Sequence, residues 1–449
     1  MNRIVSVSLL CCLIFTGCKK FFLNTIADGF VKYLWEDRPE SIPCAPTSSA
    51  FTINNGELTF SEDHMSCISI SMSSTDFDRM RNESRFGPHI HDNNGATATA
   101  VCFEYLGQCD VPFPSEYNWY TGSFQVDGVV LNNIGIRKKG FLGSVFSIAP
   151  AMKVHTDRYE SGQAIGSTRN IALNNNAEDK TRIIQCLNYK VFELAGYPAP
   201  RCNLTSVLVN NEALGIYSHI EVIDEAFLDR SFGNHSGHLY EGQLVDFVGN
   251  WLPRWEAKTT YTNDVGIPLL RVADVLKNAS DEELYTELNQ VINVDEFVKF
   301  WALEVLLDHS DGYCVNRNNF YVYFNPNDND RAVFIPWGLN YFRHEKLTNL
   351  EDYVNSELPR RLSRISVISA QFVNTLNQLL TDVWDETTLT DLVDNFSVQV
   401  QTGQIDPEYN TQINEVKTWI LDRRIDLETL LLNGLPVGDA NQAAECYNG

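Results

Sequence analysis

The chain is 449 residues long, 44% hydrophobic, and carries 58 acidic against 34 basic side chains, a formal net charge of −24. A chain of this length and apolar content buries a large core, which excludes an intrinsically disordered protein. A surface this acidic repels phosphate backbones, which sets nucleic acid aside as a partner; solubility alone accounts for the acidity, although it also fits an exported domain that holds divalent cations.

Arg3 precedes an apolar run over 4–15 that ends in Thr16, Gly17, Cys18, Lys19 and Lys20. The run is too short to cross a bilayer and reads as a secretory signal. The small residues before Cys18 have the form of a bacterial lipobox, so residues 1–18 are expected to be a lipoprotein signal peptide with Cys18 lipidated. That places the protein at the outer membrane or cell envelope, held to the membrane by its lipid anchor; a plain signal peptide with a coincidental cysteine is the alternative. Residues 19–50, interrupted by Pro39, Pro43 and Pro46, read as a tether.

From 51 to 153 the pattern is short and strand-like. FTINNGELTF carries a turn at Asn54, Asn55 and Gly56, CISISMSS alternates, and SFQVDGVVLNNIGIRKKG turns at Asp127 and Gly128. A helix is expected from near Asp179, with Ile183, Leu187, Val191 and Leu194 at helical spacing and Gly196 as its stop. Two strands follow around Asn210, Asn211 and Glu212, then a short helix capped by Asp224. Beyond Gly249 the chain turns mostly helical, with SDEELYTELNQVI and VDEFVKFWALEVLLD each opened by a capping residue and early acids. A β-ribbon, NNFYVYFN and RAVFIPW, turns at 326–330, and 366–432 is helical, with Ile413, Val416, Ile420 and Leu427 on one buried face.

Eight cysteines follow Cys18, an even number that permits disulfides in an exported chain. Cys102 with Cys109, across a short turn, and Cys186 with Cys202, tying a helix to the next strand, are the candidate pairs. No C-x-x-C pair or His-rich cluster suggests zinc.

Chemistry concentrates in His309-Ser310-Asp311-Gly312-Tyr313-Cys314-Val315-Asn316, which has the form H-x-D-x-x-x-x-N between a long helix and the ribbon. In phosphoryl transfer this spacing lets one carboxylate orient an acceptor hydroxyl while an amide oxygen five residues on holds a phosphate-bound metal. Loops that end helices are also rich in Asp, Gly and Asn for turn geometry alone. Upstream, in Arg137-Lys138-Lys139-Gly140-Phe141-Leu142-Gly143-Ser144, Gly140 and Gly143 would let backbone N–H groups approach phosphates, or simply make a β-turn. Lys153 on the following strand is placed to meet phosphate oxygens; a solvated strand lysine is the competing reading.

Taken in order, IGIRKKGFLGS, AMKVH, IALNNNAEDKTRI, ALGIYSHIEVIDEAFLDRSFGNHSGHLYEG, DGYCVNRNNFYVYF and VFIPWGLNYF resemble the spore coat protein H (CotH) kinase family over roughly 56–432. The middle block meets the family pattern at Gly215, Tyr217, Glu221, Asp224, Phe227, Leu228, Leu239 and Tyr240. The resemblance implies an α+β, protein-kinase-like two-lobed fold over 51–435, with a mainly β N-terminal lobe (about 51–222), a mainly helical C-terminal lobe (about 223–435) and a tail over 436–449. It implies transfer of phosphate from ATP to protein hydroxyls with Mg²⁺ or another divalent metal. Asp311 resembles the catalytic aspartate and Lys153 the nucleotide lysine, with Arg137, Gly140, Gly143 and Glu221 also on the cofactor side and Asn316, Asn319 and Asn340 on the metal side. The family's P-W-D-x-D segment is here Pro336-Trp337-Gly338-Leu339-Asn340, so both of its acids are absent. Replacing a carboxylate by an amide weakens attraction for the metal by roughly a few kcal/mol. A catalytically impaired pseudokinase, acting as a surface binding or adhesion protein, is therefore the alternative reading.

Three other groups invite attention. His89, His91 and Asp92 suggest a metal cluster or an exposed loop; Asp328, Asn329 and Asp330 suggest calcium or, better, a hairpin turn. Trp251 and Trp255 are expected to pack or close a pocket.

Overall fold

The computed structural model describes residues 44, 53–54, 57–58, 60–83, 108–112, 117–140, 147–259, 266–340, 347, 349–401, 408–442 and 446. A hairpin of β1 (Ile53–Asn54) and β2 (Glu57–Leu58) precedes β3 (Ser66–Met72). Strand β3 joins β4 (Tyr120–Val126), β5 (Val129–Lys138), β6 (Met152–His155), β7 (Asn170–Asn174), β8 (Cys202–Val209) and β9 (Glu212–Glu221) in a closed barrel of order β3-β4-β5-β6-β7-β9-β8. Its pairs are antiparallel except β3 with β8. Alternation of side chains along each strand does the sorting: Ile70, Phe124, Ile136, Val154 and Leu173 fill the interior, while Arg137, Lys153 and Ala172 stand side by side on the outside. Two hairpins close through residues at positive φ, Asp127 (43°) with Gly128 (92°) and Asn210 (53°) with Asn211 (68°), as the right-handed twist of the flanking strands demands.

Among the elements unread in the sequence is a helix that covers the barrel. Helix α1 (Ser74–Asn82) opens with the Ser73 hydroxyl accepting from the Asp76 N–H, and its Phe77 and Met80 join the barrel core. Two apolar residues in a nine-residue polar stretch make too weak a period to announce a helix. Its C-terminal end rests on Lys138, fully buried, whose Nζ donates to the carbonyls of Arg81 (2.7 Å) and Glu83 (3.0 Å).

Helix α2 (Ile184–Leu194) starts five residues later than the periodicity predicts. The Asp179 carboxylate accepts from the N–H and hydroxyl of Thr181 and from the Ile184 N–H, so 179–183 form a capped turn ahead of the helix. Helix α3 (Glu225–Phe232) is capped by Asp224 and stopped by Gly233 at φ 67°. Strands β10 (Leu239–Gly242), β11 (Glu256–Ala257), β12 (Phe320–Asn325) and β13 (Arg331–Pro336) form an antiparallel sheet of order β11-β10-β12-β13. Around it lie α4 (Ile267–Asn278), α5 (Asp281–Leu288), α6 (Val294–Leu306), α7 (Tyr313–Asn316), α8 (Glu357–Leu362), α9 (Ser366–Asp382), α10 (Glu386–Gln401) and α11 (Tyr409–Leu431). The fold is thus α+β, with the strands gathered early and the helices late. Among the described residues, no helix is long and apolar enough to cross a membrane.

A second core binds the two regions together. It runs from Ala172, Leu204 and Ile220 outside the barrel through Phe300 and Trp301 of α6 to Ile420 and Leu427 of α11. The buried Arg423 of α11 donates to the carbonyls of Leu306 and Val305, satisfying groups that the end of α6 leaves without helical partners.

Three disulfides brace this arrangement and suggest an exported protein: Cys44–Cys67, Cys109–Cys446 and Cys186–Cys202. The last is the pair expected from sequence. Cys109 does not take Cys102, which lies outside the described residues; it reaches Cys446 across 337 positions. Two segments read as free are therefore stapled: Cys44, in the tether, to the barrel, and the C-terminal tail to 108–112, with Arg360 also holding the Asp439 carbonyl at 2.8 Å.

Burial pushes the Lys138 ammonium down to about 7, against the pull of Glu83. Between that value and the ordinary lysine range the unfolded chain holds a proton that the folded chain has released, so stability rises with pH. The cost of burying Lys138 is full below pH 7 and recedes above it. Urea unfolding of wild type and Lys138→Met is expected to show wild type gaining roughly 2–3 kcal/mol relative to the variant between pH 6.5 and 9.5; parallel pH profiles would contradict this.

Candidate functional site

Helix α6 ends at Leu306, and the loop after it is held from beneath by Glu304 of the same helix. The Glu304 carboxylate accepts the backbone N–H of Tyr313 (2.9 Å) and of Cys314 (2.8 Å). Gly312 leaves it room, since a Cβ there would collide with Glu304 Oε1. Burial pushes the Glu304 carboxyl up to about 7, with the two N–H groups and the Cys314 thiol opposing. On the loop so fixed, the Asp311 carboxylate receives the side-chain amides of Asn316 (2.5 Å), Asn318 (3.2 Å) and Asn319 (2.6 Å). Burial raises the Asp311 pKa, and the three amides counter it. Asn316 and Asn319 are the amides the sequence singles out. Asn318 was missed, although the NRNN run was there to flag it.

The 337–340 segment borders this loop directly. The Trp337 N–H donates to the Asn319 carbonyl at 3.1 Å, and Leu339 is pinned by Asn188 of α2 at 3.0 Å. Gly338 sits at φ 59°, and a Cβ placed on it would lie 2.5 Å from Asn319 Oδ1. The room an aspartate needs at this position is thus filled by the Asn319 amide. Asn340 turns its Nδ2 toward Glu178 Oε2 at 3.5 Å. Glu178, from the turn before α2, is exposed to solvent; the protein atoms crowded around it and the charge of Asp311 push its carboxyl up, to about 7, against Asn340.

On the other side of Trp337 lies a group of cations. Lys139 stands over the Trp337 ring, 5.8 Å from its centroid. Lys258 pairs with Glu241 at 2.5 Å and Glu256 at 2.7 Å. Lys153 faces this group: burial pushes it down to about 8, the charges of Arg137 and Lys258 add to that, and Glu241 and Asp224 oppose. Lys139 is likewise pushed down to about 8 by burial, with Glu241 opposing and Lys153 adding. Lys258 thus pairs with Glu241, whose charge also reaches Lys139 and Lys153, and with Arg137 beside Lys153 these cations suit an anion with several charged oxygens.

The remaining expected residues divide. Arg137 is the cross-strand partner of Lys153, and its guanidinium covers the Trp119 ring at 4.5 Å. Gly140 has φ 108° and accepts the Tyr117 hydroxyl on its carbonyl, whereas Gly143 lies outside the described residues. Glu221 does not join the lysines. Its two oxygens are taken by Arg201 (2.8 Å) and Arg230 (2.7 Å), a clamp between β9 and α3 that the motif match could not distinguish from a cofactor contact. Cys18, His89, His91 and Asp92 lie outside the described residues. Asp328 pairs with Arg331 in the hairpin turn, and Trp251 and Trp255 are buried in the core. Among the described residues no three of His, Cys, Asp and Glu converge to hold a metal.

A sequence model of the family described as CotH kinase protein matches residues 151–424, more than half of the chain. The chain belongs to this family. It is 26% identical to "Invasin CotH3" of Rhizopus delemar over 248 residues, 47% of this chain and 41% of that protein. It is 21% identical to "Spore coat protein homolog 1" of the same organism over 280 residues, 56% of this chain and 46% of that protein. It therefore spans less than half the length of these relatives. Among solved structures, a chain of a Shewanella oneidensis toxin–antitoxin complex of HipA, HipB and operator DNA aligns over 57% of each chain at 10% identity and a TM-score of 0.27.

For this CotH family member, the crowding at Gly338 sets the cost of reinstating the family's acid. Gly338→Asp should displace Asn319 and lower the unfolding free energy by about 1–3 kcal/mol. Chemical denaturation would measure it, and an unchanged midpoint would mean that Asn319 gives way freely.

Proposed function

We propose that the protein is an envelope-anchored kinase that transfers the γ-phosphoryl group of ATP to protein hydroxyls. The carrying observation is that one residue, Trp337, touches both groups: its ring lies under Lys139 of the lysine group, and its backbone binds Asn319, an amide that holds Asp311. In this reading the barrel and the helical region are the two lobes of a kinase-like fold. Lys153, with Lys139 and Lys258 beside it, binds phosphate oxygens by charge-assisted hydrogen bonds. Asp311, its orientation set by Asn316, Asn318 and Asn319, positions the acceptor hydroxyl and takes its proton.

The residues fit a divalent ion of the kind that keeps one or two carboxylates and takes its remaining ligands from phosphates and water. Asn316 and Asn319 turn their NH₂ groups to Asp311, which leaves their side-chain oxygens, with that of Asn340, as donors. Such an ion would neutralise charge developing on the phosphates. The neutral Gly338 and Asn340 favour a second reading, in which the cleft binds nucleotide without turnover and the protein serves as a surface binding module. That three relatives are named invasin agrees with such a role.

Incorporation of labelled γ-phosphate into protein by wild type with Mg²⁺ or Mn²⁺ should fall roughly a hundredfold or more in Asp311→Asn. Equal labelling in both would reject transfer by this site; ATP-dependent thermal stabilisation without labelling would select the binding reading. The anchor is read separately. Cys18→Ser should move the protein from the membrane fraction to the soluble fraction, and retention in membranes would rule out lipidation at Cys18.

A further inference from the structure

The segment that carries two acids in the family is neutral here, yet the cleft beside it is not short of negative charge. Four other carboxylates lie near the Asp311 loop, of which Asp246 is held by the Tyr313 hydroxyl and the Glu357 N–H, both at 2.8 Å. Glu304 is consumed by the N–H groups of Tyr313 and Cys314. Asp308 accepts the Tyr353 hydroxyl at 2.8 Å and feels the charge of Arg423, on the side of the loop that faces α11. Glu178 alone among them is committed to no strong partner: its contact with Asn340 is long, at 3.5 Å, and neither it nor Asp311 has a Lys or Arg partner among the described residues.

We propose that Glu178 supplies the carboxylate missing from the 337–340 segment, ligating the divalent ion that accompanies a nucleoside triphosphate, across from Asp311 and beside Asn340. This rests on reading the cleft as a metal–nucleotide site, and it names the ligand that reading lacks. The turn that presents Glu178 is held rigid. Arg182 donates to the carbonyls of Asn175 and Asn176 (3.1 Å each), Ser218 donates to Asn176 Oδ1 (2.9 Å), and the neighbouring Asp179 caps the turn. A ligand on a braced turn is preorganised, so little ordering opposes metal capture. Asn188, four residues into the helix that this turn begins, grips the Leu339 carbonyl, which fixes the spacing between Glu178 and the segment whose acids it replaces. Two carboxylates near enough to repel, one beside the Asn340 amide and the other ringed by three amides, with no Lys or Arg pairing either among the described residues, suit a hard divalent ion completed by phosphates and water. The charge has moved from β13's end to the entry of α2.

The test is Mn²⁺ affinity of the full chain, read by electron paramagnetic resonance of free Mn²⁺ in the presence of a non-hydrolysable ATP analogue. Glu178→Gln should weaken Mn²⁺ by about tenfold or more, while its affinity for the analogue without metal, set by the lysines, stays at the wild-type value and reports an intact fold. Adding Asn340→Asp to Glu178→Gln should recover most of the loss by returning a carboxylate to the segment. If Glu178→Gln holds Mn²⁺ as tightly as wild type and Asp311→Asn does not, Glu178 is no ligand, but the metal–nucleotide reading stands. If wild type takes up neither Mn²⁺ nor the analogue, that reading and this proposal fall together.

Discussion

Everything at the site depends on one buried carboxylate. Glu304 points from the last turn of α6 into the loop that follows and accepts two consecutive backbone N–H groups, so the loop is tied to a largely buried helix. A carboxylate taken out of water is costly unless hydrogen bonds replace its hydration, and here they do. The same bonds leave no room for a side chain at 312, which is why glycine stands there. Arg423 secures the end of α6 from the other side, so Asp311 is carried on a platform braced by both its own helix and α11.

The second constraint is electrostatic. A protein of net charge −24 must bind a polyanion, if it binds one, against its own field. The structure answers locally, by gathering Lys139, Lys153 and Lys258: burial and mutual repulsion work against protonation of Lys139 and Lys153, whereas Lys258, despite its burial, is held charged by Glu241 and Glu256. Partly desolvated ammoniums interact strongly with phosphate because little water remains to compete. Glu241 pairs with Lys258 and opposes the mutual repulsion felt by Lys139 and Lys153. Trp337 links the two groups, its ring lying under Lys139 while its backbone binds Asn319.

Neutral residues at 338 and 340 are therefore more than a loss. The Asn319 amide fills the space beside Gly338, and Asn340 faces Glu178. Membership of the CotH kinase family, shown by the match over 151–424, establishes descent and leaves the chemistry of the altered segment to its own residues.

Much of this was legible from sequence by itself. The strands of the barrel hairpins, the turns at Asp127-Gly128 and Asn210-Asn211, the capped helices α3, α5 and α6, the ribbon of β12 and β13 and the Asp311 loop are all written in short-range signals, because periodicity, capping and turn chemistry act over a few residues. The late start of α2 was hidden because Asp179 competes with the helix for its first N–H groups, and α1 because it borrows its stability from the barrel it covers. Only the tertiary structure decided that Cys109 meets Cys446, that Glu221 is closed off by Arg201 and Arg230, and that Glu178 stands against Asn340, 162 positions away. Those pairings follow from how a closed barrel and a helical block share one core, and no local pattern of residues encodes the distance between two segments that meet only when the chain has folded.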